Sequence, residues 1–338
     1  MTKDAIKPRL LFITKDANGV AARYRATDYI EQLNKANWNT SQWPASGGLK
    51  SIPALIRASL NADIALIQRE MVSTAMLCLI KLFNHKLIYD FDDAVFLYDD
   101  GTYSKWRSKR FSRIAQTASL MLAGNHYLAE QAKRFNQHVS VLPTTVRISK
   151  YQQAHRYKMQ NPSQIDLVWI GSSWTRKYLE KAIPALEQLG QKHPDIRLKI
   201  IADFDLPMKH ITTVPIQWDG QTEAIELATS DIGIAPMVDD LWTRGKCALK
   251  VIQYMAAGLP VVSSNVGVNK EVVIDGETGL LADTNEQWIA ALDKLIQNKG
   301  LRQSMATKGF ERASRYYSQE YGFSILLDNL NELLARKP

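Results

Sequence analysis

The sequence predicts an α/β protein built from two doubly wound, parallel-sheet domains. Apolar runs of strand length alternate with helical patterns along the chain, which is typical of parallel sheets covered by helices on both faces. The 338 residues exceed one ordinary core and suit two domains of about 150 residues each. A hydrophobic content of 46% excludes a disordered chain or a fibre.

The first half of the chain begins with a strand and alternates regularly after it. Short runs of Leu, Ile and Val predict strands, and longer amphipathic runs predict helices. In chain order the predicted elements are strand Arg9–Thr14, helix Arg23–Asn37, strand Asp63–Gln68, helix Val72–Phe83, strand Lys86–Asp90, a basic helix near Ser104–Ala118, and strands Leu120–Ala123 and Val139–Leu142.

The second half repeats this alternation. Its predicted elements are strand Asp166–Ile170, helix Lys177–Gln191, strand Arg197–Ile201, helix Thr222–Thr229, strand Ile232–Ala235, a helix from about Ala248 to Ala257, and strand Leu259–Ser263. The polar stretch Tyr151–Gln164 is the best candidate for a linker between the halves. We therefore expect domains at residues 1–155 and 160–315, followed by a carboxyl-terminal helix at 316–338 whose apolar face can pack back on the first domain.

Composition and length restrict the cellular setting of the chain. The most apolar stretch, residues 71–83, is shorter than the roughly 20 residues of a membrane-spanning helix. The amino terminus lacks the pattern of a secretory signal, so the expectation is a cytoplasmic protein. Cys78 and Cys247 are the only cysteines and form neither a disulfide framework nor a recognisable metal motif.

Ligands of open parallel sheets bind outside the carboxyl ends of the strands, where helix N-termini and backbone amides converge. Small, polar and charged residues follow the predicted strands at these positions. They are Asn18-Gly19-Val20, Asp90 to Asp93, Gly171-Ser172-Ser173, Asp239 to Lys246, and Asn265 to Asn269. Two such domains facing each other would form a cleft.

The segment from Gly245 to Val273 carries the strongest signal. A continuous helix there would place Lys246, Lys250 and Gln253 on one face. Two ammonium groups would then lie near the helix N-terminus. Ammonium groups and free amides together favour a diphosphate. The alternative interpretation is the solvated face of an ordinary amphipathic helix.

Residues 231–282, which include YMAAGLPVVSSNVGVNKEVVIDGETGLLA, resemble the carboxyl domain of the group 1 glycosyltransferases of GT-B architecture. Weaker similarity covers RLLFITKDANGVAARYR, YDFDDAVF, LAGNHYLAEQA, VLPTTV and LVWIGSSWTRKYL in the expected order. The resemblance implies two Rossmann-like domains facing a central cleft. It also implies retaining transfer of a sugar from a nucleotide-sugar donor on the second domain to an acceptor on the first.

Family members usually have two glutamates on this segment, at the positions of Gly245 and Gln253 here. The amide of Gln253 can still bind a ribose diol, whereas Gly245 supplies no side chain, and Asp239 or Asp240 is a candidate replacement. The family's arginine and lysine after the first strand of this domain correspond to Ser172 and Lys177. Gly19 and Glu271 also match positions of the family. The other predicted donor-binding residues follow from their places after the strands or on the lysine segment, and they are Gly171, Lys246, Lys250, Asn265, Gly267 and Asn269.

The Asp90-Phe91-Asp92-Asp93 stretch has three interpretations. Its carboxylates could bind a divalent cation, although the order of elements argues against the fold that uses such a motif. Asp92 or Asp93 could orient or deprotonate an acceptor hydroxyl, which is the role we favour. Either could instead cap the next segment. The family mechanism implies no protein nucleophile, no cofactor beyond the donor substrate and no required metal.

The segment from Lys105 to Arg113 has five cations and two aromatic residues. On a helix, Lys105, Lys109 and Arg113 would form one stripe that suits an anionic membrane surface, with Trp106 or Phe111 at the interface. A lipid-linked or other glycan acceptor would fit this placement. Nucleic acid is a weaker candidate partner because no nucleic-acid motif is present, and a solvated basic helix is the alternative.

Three functions follow from these features. The first is a nucleotide-sugar-dependent glycosyltransferase of polysaccharide or glycoconjugate synthesis. The second is a sugar-nucleotide epimerase of the same architecture. The third is a non-catalytic relative that binds nucleotide sugars, which the loss of both glutamates makes conceivable.

Overall fold

Two six-stranded parallel sheets organise the protein, one in each of two structural units. The computed structural model describes residues 7–16, 19, 22–45, 52–84, 86–154 and 164–336. Unit 1 contains Met1–Thr144, Asp240–Cys247 and Gln319–Pro338, and unit 2 contains Thr145–Asp239 and Ala248–Ser318. The predicted α/β class is confirmed.

The sheet of unit 1 has the order β2-β1-β3-β4-β5-β6. The chain leaves β1 toward one side and returns to the other, so its topological switch point lies between β1 and β3. The strands are β1 (Arg9–Thr14), β2 (Asn39–Pro44), β3 (Ile64–Gln68), β4 (Leu87–Phe91), β5 (Leu120–Ala123) and β6 (Val139–Val141). The helices are α1 (Asp28–Lys35, preceded by a π-helical turn at Arg23–Thr27), α2 (Ile52–Leu60), α3 (Thr74–Phe83), α4 (Lys105–Thr117) and α5 (His126–Lys133).

The sheet of unit 2 has the order β12-β11-β10-β7-β8-β9, with its switch point between β7 and β10. Its strands are β7 (Ile165–Ile170), β8 (Ile196–Ala202), β9 (Thr212–Gln217), β10 (Ile232–Ala235), β11 (Val261–Ser263) and β12 (Gly279–Leu281). Its helices are α6 (Ile148–Ala154), α7 (Arg176–Lys192), α8 (Glu223–Ala228), α9 (Leu249–Ala256), α10 (Asn269–Val272), α11 (Asn285–Gln297) and α12 (Lys299–Tyr316).

The last helix, α13 (Gln319–Ala335), belongs to unit 1. Its apolar side chains Leu326, Leu330 and Leu333 lie in one buried cluster with Leu10 of β1 and Tyr29 of α1. The Lys86 ammonium also donates to the carbonyl oxygen of Leu334 at 2.7 Å. The amphipathic pattern of this helix is therefore accounted for by packing on the first sheet.

The boundaries between the two units differ from the one predicted at the polar stretch Tyr151–Gln164. The chain first passes from unit 1 to unit 2 after Thr144, so α6 lies in unit 2. Most of the predicted linker (residues 155–163) lies outside the described residues. The segment Asp240–Cys247 lies in unit 1 although the sequence places it in the second domain. The buried side chains of Trp242 and Cys247 explain this, because both join the core of unit 1.

None of the described helices is long and apolar enough to cross a bilayer.

Candidate functional site

The loop that follows β7 lies at the switch point of the second sheet. Gly171 is required there, because a Cβ atom at this residue would overlap the indole of Trp169 and lie 2.7 Å from Oγ1 of Thr175. Ser172 and Thr175 form a capping box that turns the chain into α7. The loop is thus closely fitted around the Trp169 ring.

Lys250 of α9 reaches this loop. Its ammonium nitrogen lies 4.0 Å from the centroid of the Trp169 ring and donates to Thr175 Oγ1 at 3.3 Å. Trp169 is 0% exposed, and its ring packs edge-on against Phe204, with 5.7 Å between the centroids. The sequence placed Lys250 at the same sheet edge as the Ser172 loop, and the structure brings the two together.

Tyr254 fixes α9 at the switch point. Its hydroxyl donates to the carbonyl oxygen of Ile234 in β10 at 3.2 Å and accepts from the amide of Ile170 in β7 at 3.0 Å. Burial raises the pKa of Tyr254, which keeps the phenol protonated as a donor. Gly233 makes room for the ring, since a Cβ there would lie 2.5 Å from it. One turn earlier, Lys250 is held beside the loop by the same anchor.

The prediction that Lys246 shares a helical face with Lys250 and Gln253 is wrong. The helix begins only at Leu249, because Ala248 adopts a left-handed conformation with φ of 53° and Lys246 is extended. Lys246 lies in unit 1, where its ammonium donates to Asp93 at 2.7 Å. Gln253 is on the helix but 3% exposed, and its amide donates to the Tyr151 hydroxyl at 3.2 Å.

The loop after β11 contains the other predicted residues of unit 2. Asn265 is exposed and bound to Asp283, and Gly267 has a φ of 51°, which favours glycine. Asn269 is 2% exposed, and its amide nitrogen has no hydrogen-bond partner among the described residues. The side chain of Glu271 is exposed. This loop therefore contains one buried side-chain amide without a partner among the described residues, that of Asn269, and one exposed carboxylate, that of Glu271.

Lys177 is the exposed lysine of the first turn of α7. Its ammonium nitrogen lies 5.2 Å from the ring centroid of the neighbouring Tyr178. The nearby Trp174 is 81% exposed, and Ser173 binds Asp203 through its backbone amide at 2.6 Å. Lys177 is thus at the same sheet edge as Lys250 but is presented to solvent.

At the edge of the first sheet, Asp90 is engaged in a fully buried ion pair. Its carboxylate accepts two hydrogen bonds from Arg25, one of them from Nε at 3.1 Å, and both side chains are 1% exposed. Arg25 also donates to the carbonyl oxygen of Leu142 at 2.5 Å. Burial raises the pKa of Asp90, and the charge of Arg25 opposes this rise.

Asp93 lies in a second group of charges at this edge. Its carboxylate pairs with Arg69 and, at 2.7 Å, with Lys246. Burial raises the pKa of Asp93, opposed by these two cations. Asp92 is more accessible, with Arg69 Nη1 3.9 Å from its Oδ1. Cys247 donates to the carbonyl oxygen of Asp92 at 3.2 Å, and burial raises the pKa of this thiol, so it is held as a thiol.

Close packing explains why residue 245 has no side chain. A Cβ on Gly245 would lie 2.8 Å from both the Cβ and the amide nitrogen of Ala94. The segment is further held by Asn125, whose amide donates to the carbonyl oxygens of Lys246 at 3.0 Å and Arg244 at 3.3 Å. Asp240 caps the turn through the amide of Thr243 at 2.7 Å. Gly19 is described without its neighbours Asn18 and Val20, which lie outside the described residues.

The basic segment forms helix α4, and only part of it faces solvent. Lys105, Lys109 and Arg113 are exposed, as is Trp106 at 61%. The two other cations bind backbone oxygens of unit 1: Arg107 that of Leu97 and Arg110 that of Val72, both at 2.8 Å. The suggestion that Phe111 lies at a membrane interface is wrong, because this ring is 1% exposed in the core.

Sequence reasoning missed the residues that hold the candidate side chains in place. Trp169 beneath Lys250, Tyr151 beside Gln253 and Arg69 beside Asp93 are the main ones. The signal for Trp169 was present, since a single indole interrupts the aliphatic run of β7 directly before the Gly171 loop. The others are tertiary contacts that no local pattern marks.

Comparison with known proteins is consistent with this geometry. Residues 164–298 match the family model described as Glycosyl transferases group 1. A D-inositol 3-phosphate glycosyltransferase of Arthrobacter sp. is 25% identical over 239 residues, covering 62% of this chain and 54% of that protein. The matches to the first curated relatives span between 16% and 54% of those proteins' lengths.

Solved structures with the same fold cover nearly the whole chain. Sucrose-phosphate synthase from Thermosynechococcus elongatus has a TM-score of 0.76 at 15% identity, over 97% of this chain and 99% of that one. Anabaena Alr3699/HepE in complex with UDP-glucose has a TM-score of 0.70 at 11% identity, over 96% and 99%. Residues 164–298 thus form a Glycosyl transferases group 1 domain, and the chain has the GT-B architecture of these solved structures, as the resemblance predicted. The curated relatives named here are glycosyltransferases by name, in line with the expectation of an enzyme.

Proposed function

We propose that the protein transfers a sugar, with retention of configuration, from a nucleoside-diphosphate sugar to a glycan or lipid-linked acceptor. The observation that carries this proposal is the Lys250 ammonium, held at the Gly171–Thr175 loop within the segment that matches the family model. A cation and loop amides at a sheet switch point suit a diphosphate. UDP is the first nucleotide to test, because the structural neighbour HepE is described in complex with UDP-glucose.

In this proposal the residues of unit 2 bind the donor. Lys250 and Lys177 offset the charge that develops on the departing diphosphate, whose oxygen takes the acceptor proton. The Asn265–Asn269 loop and Glu271 contact the donor from the neighbouring strand end. Gln253, already bound to Tyr151, holds a ribose hydroxyl only if its amide exchanges that partner.

Unit 1 binds the acceptor, and we assign the acceptor contact to Asp92 rather than Asp93. Asp93 is engaged by two cations, whereas Asp92 has the more accessible carboxylate of the two. We also propose that no divalent cation is required. Asp90 and Asp93 already pair with Arg25, Arg69 and Lys246, so metal binding there would first have to break these ion pairs.

The direct test is turnover with a nucleotide sugar and a glycan or lipid-linked acceptor. The proposal expects release of nucleoside diphosphate only when acceptor is consumed, an unchanged anomeric configuration by NMR, and full activity in EDTA. Conversion of one sugar nucleotide into another without acceptor would instead identify an epimerase.

A non-catalytic binding protein is the second candidate, and a specific observation favours it. Gly245 is packed so closely against Ala94 that a glutamate, the usual family residue at this position, would fit only if its neighbours moved. Saturable binding of a nucleotide sugar without consumption, in the presence of a broad set of acceptors, would support this alternative.

We further propose that α4 brings unit 1 to an anionic membrane surface in polysaccharide or glycoconjugate synthesis. Its exposed stripe joins Lys105, Lys109 and Arg113 beside Trp106. Replacing the three cations with Ser should abolish sedimentation with anionic vesicles. The matched control replaces three exposed lysines of unit 2, Lys181, Lys294 and Lys308, with Ser and should sediment like the wild type; equal loss in both variants would contradict a specific surface.

A further inference from the structure

We propose that Trp169 is a positioning residue that holds the Lys250 ammonium in place for the donor diphosphate. This inference rests on the proposed function, because it takes Lys250 as a phosphate-binding group. It assigns a role to a residue that neither the sequence motifs nor the family resemblance marked.

The geometry places the two groups in direct contact. The Lys250 nitrogen lies 4.0 Å from the centroid of the indole, well inside the roughly 6 Å range of a cation–π interaction. The ring is 0% exposed, so water does not screen that face, and the attraction is stronger than at a surface. Unlike a carboxylate, the ring orients the ammonium without neutralising its charge.

The position of the Trp169 ring is itself fixed on several sides. The ring packs against Phe204, and the guanidinium of Arg176 lies 5.3 Å from the centroid of the Phe204 ring. Above it the chain requires Gly171, because any Cβ there would overlap the indole. The large Trp169 side chain near the end of β7 therefore determines both the path of the Gly171 loop and the position of the Lys250 ammonium.

The lysine is fixed from its own helix as well. Tyr254 binds α9 to the backbone of β7 and β10, and Lys250 lies one turn before it. Thr175 Oγ1 then accepts a hydrogen bond from the ammonium at 3.3 Å. Residues of β7, of the loop after it and of α9 thus all position the Lys250 ammonium, and Trp169 is the contact from β7.

The test is a double-mutant cycle on the affinity for UDP, GDP and ADP, measured by calorimetry on the full chain. Lys250→Met should weaken binding of the preferred nucleotide about tenfold, and Trp169→Leu about fivefold. In the Lys250→Met background, Trp169→Leu should change the affinity less than about twofold, because the cation that it positions is gone. Trp169→Phe keeps an aromatic face and should lose less than Trp169→Leu.

The matched control is Trp288→Leu, which removes another buried indole of the same core cluster, on α11 rather than on β7. It should leave nucleotide affinity unchanged. A Trp169→Leu loss that is equally large with and without Lys250 would show a merely structural role and overturn the inference. If Trp169→Leu fails to fold, the cycle with Trp169→Phe decides, since a loss independent of Lys250 again overturns it.

The binding measurements distinguish a failure of the proposed function from a failure of the role of Trp169. If the wild type binds none of the three nucleotides, the proposed function fails, and this inference fails with it. If the wild type binds one of them and Lys250→Met is weakened while the Trp169 variants are not, only the role of Trp169 is refuted.

Discussion

Charged residues lie at the carboxyl edges of both sheets, but their contacts differ. At the first edge, Asp90 forms an ion pair with Arg25, and Asp93 forms ion pairs with Arg69 and Lys246. At the second edge, Lys250 is held over an indole and beside a hydroxyl. Ion pairs at the first edge stabilise the fold, whereas the cation–π contact at the second edge orients Lys250 without itself neutralising the ammonium charge.

The contrast between Lys246 and Lys250 shows why residue type and spacing alone do not predict which side chains share a site. The two lysines are four residues apart and would share a face on a continuous helix. The left-handed Ala248 ends that continuity, so that one lysine joins unit 1 and the other joins unit 2. We therefore expect substitutions at the first edge to affect stability and those at the second edge to affect nucleotide affinity.

The largest effect is expected from Arg25→Met. This change leaves the fully buried Asp90 carboxylate without its cation and should lower the free energy of unfolding by about 4 kcal/mol. Chemical denaturation measures this loss. The control is Arg9→Met, which breaks the half-exposed pair with Asp63 and should cost less than about 1 kcal/mol. Similar losses in the two variants would contradict the structural role of the buried pair.

A smaller loss of stability is expected from Asp93→Asn. Arg69 and Lys246 lose their shared carboxylate, but both remain partly solvated, so the cost should be about 2 kcal/mol. Asp99→Asn is the control, because the pair that Asp99 forms with Arg107 is exposed. If Asp93→Asn leaves the denaturation midpoint unchanged, the ion pairs at this edge do not hold the 240–247 segment.

Gly245→Ala tests the packing of that segment directly. The added methyl group meets Ala94 at 2.8 Å and should lower the free energy of unfolding by about 1 to 2 kcal/mol. Gly300→Ala is the comparison, since a Cβ there has only a contact of 3.5 Å with Asn298, and this variant should be neutral or slightly stabilising. Gly245→Glu, which restores the family residue, should therefore destabilise the protein rather than raise its activity.

Much of the fold could be predicted from the sequence, because its strands are aliphatic. β1, β5 and β10 occupy the predicted ranges, and the helices that were predicted differ at their ends by a few residues. Helices α2, α5, α6, α10 and α11 were not among the predicted elements. The edge strands β2 and β9 were missed, since NTSQWP and TTVPIQ lack a run of aliphatic residues, and so was β12, which has only three residues. An edge strand buries few of its side chains, so its sequence need not be apolar.

The candidate site could be predicted only in part. The sequence predicted that Lys250 lies at the same sheet edge as the loop of Gly171 and Ser172, and in the structure Lys250 contacts Thr175 of this loop. It could not show that Asp93 is paired from two directions or that Gln253 lies against Tyr151. Those contacts depend on residues far away in the chain, and a local pattern contains no information about them.

The central claim is that the second sheet edge binds a nucleoside diphosphate through Lys250. The most direct measurement compares the affinities of the wild type, Lys250→Met and Lys246→Met for UDP, GDP and ADP by titration calorimetry. We predict that one nucleotide binds the wild type, that Lys250→Met weakens it about tenfold, and that Lys246→Met changes it less than about twofold. Equal affinities in wild type and Lys250→Met, or a loss confined to Lys246→Met, would contradict the claim.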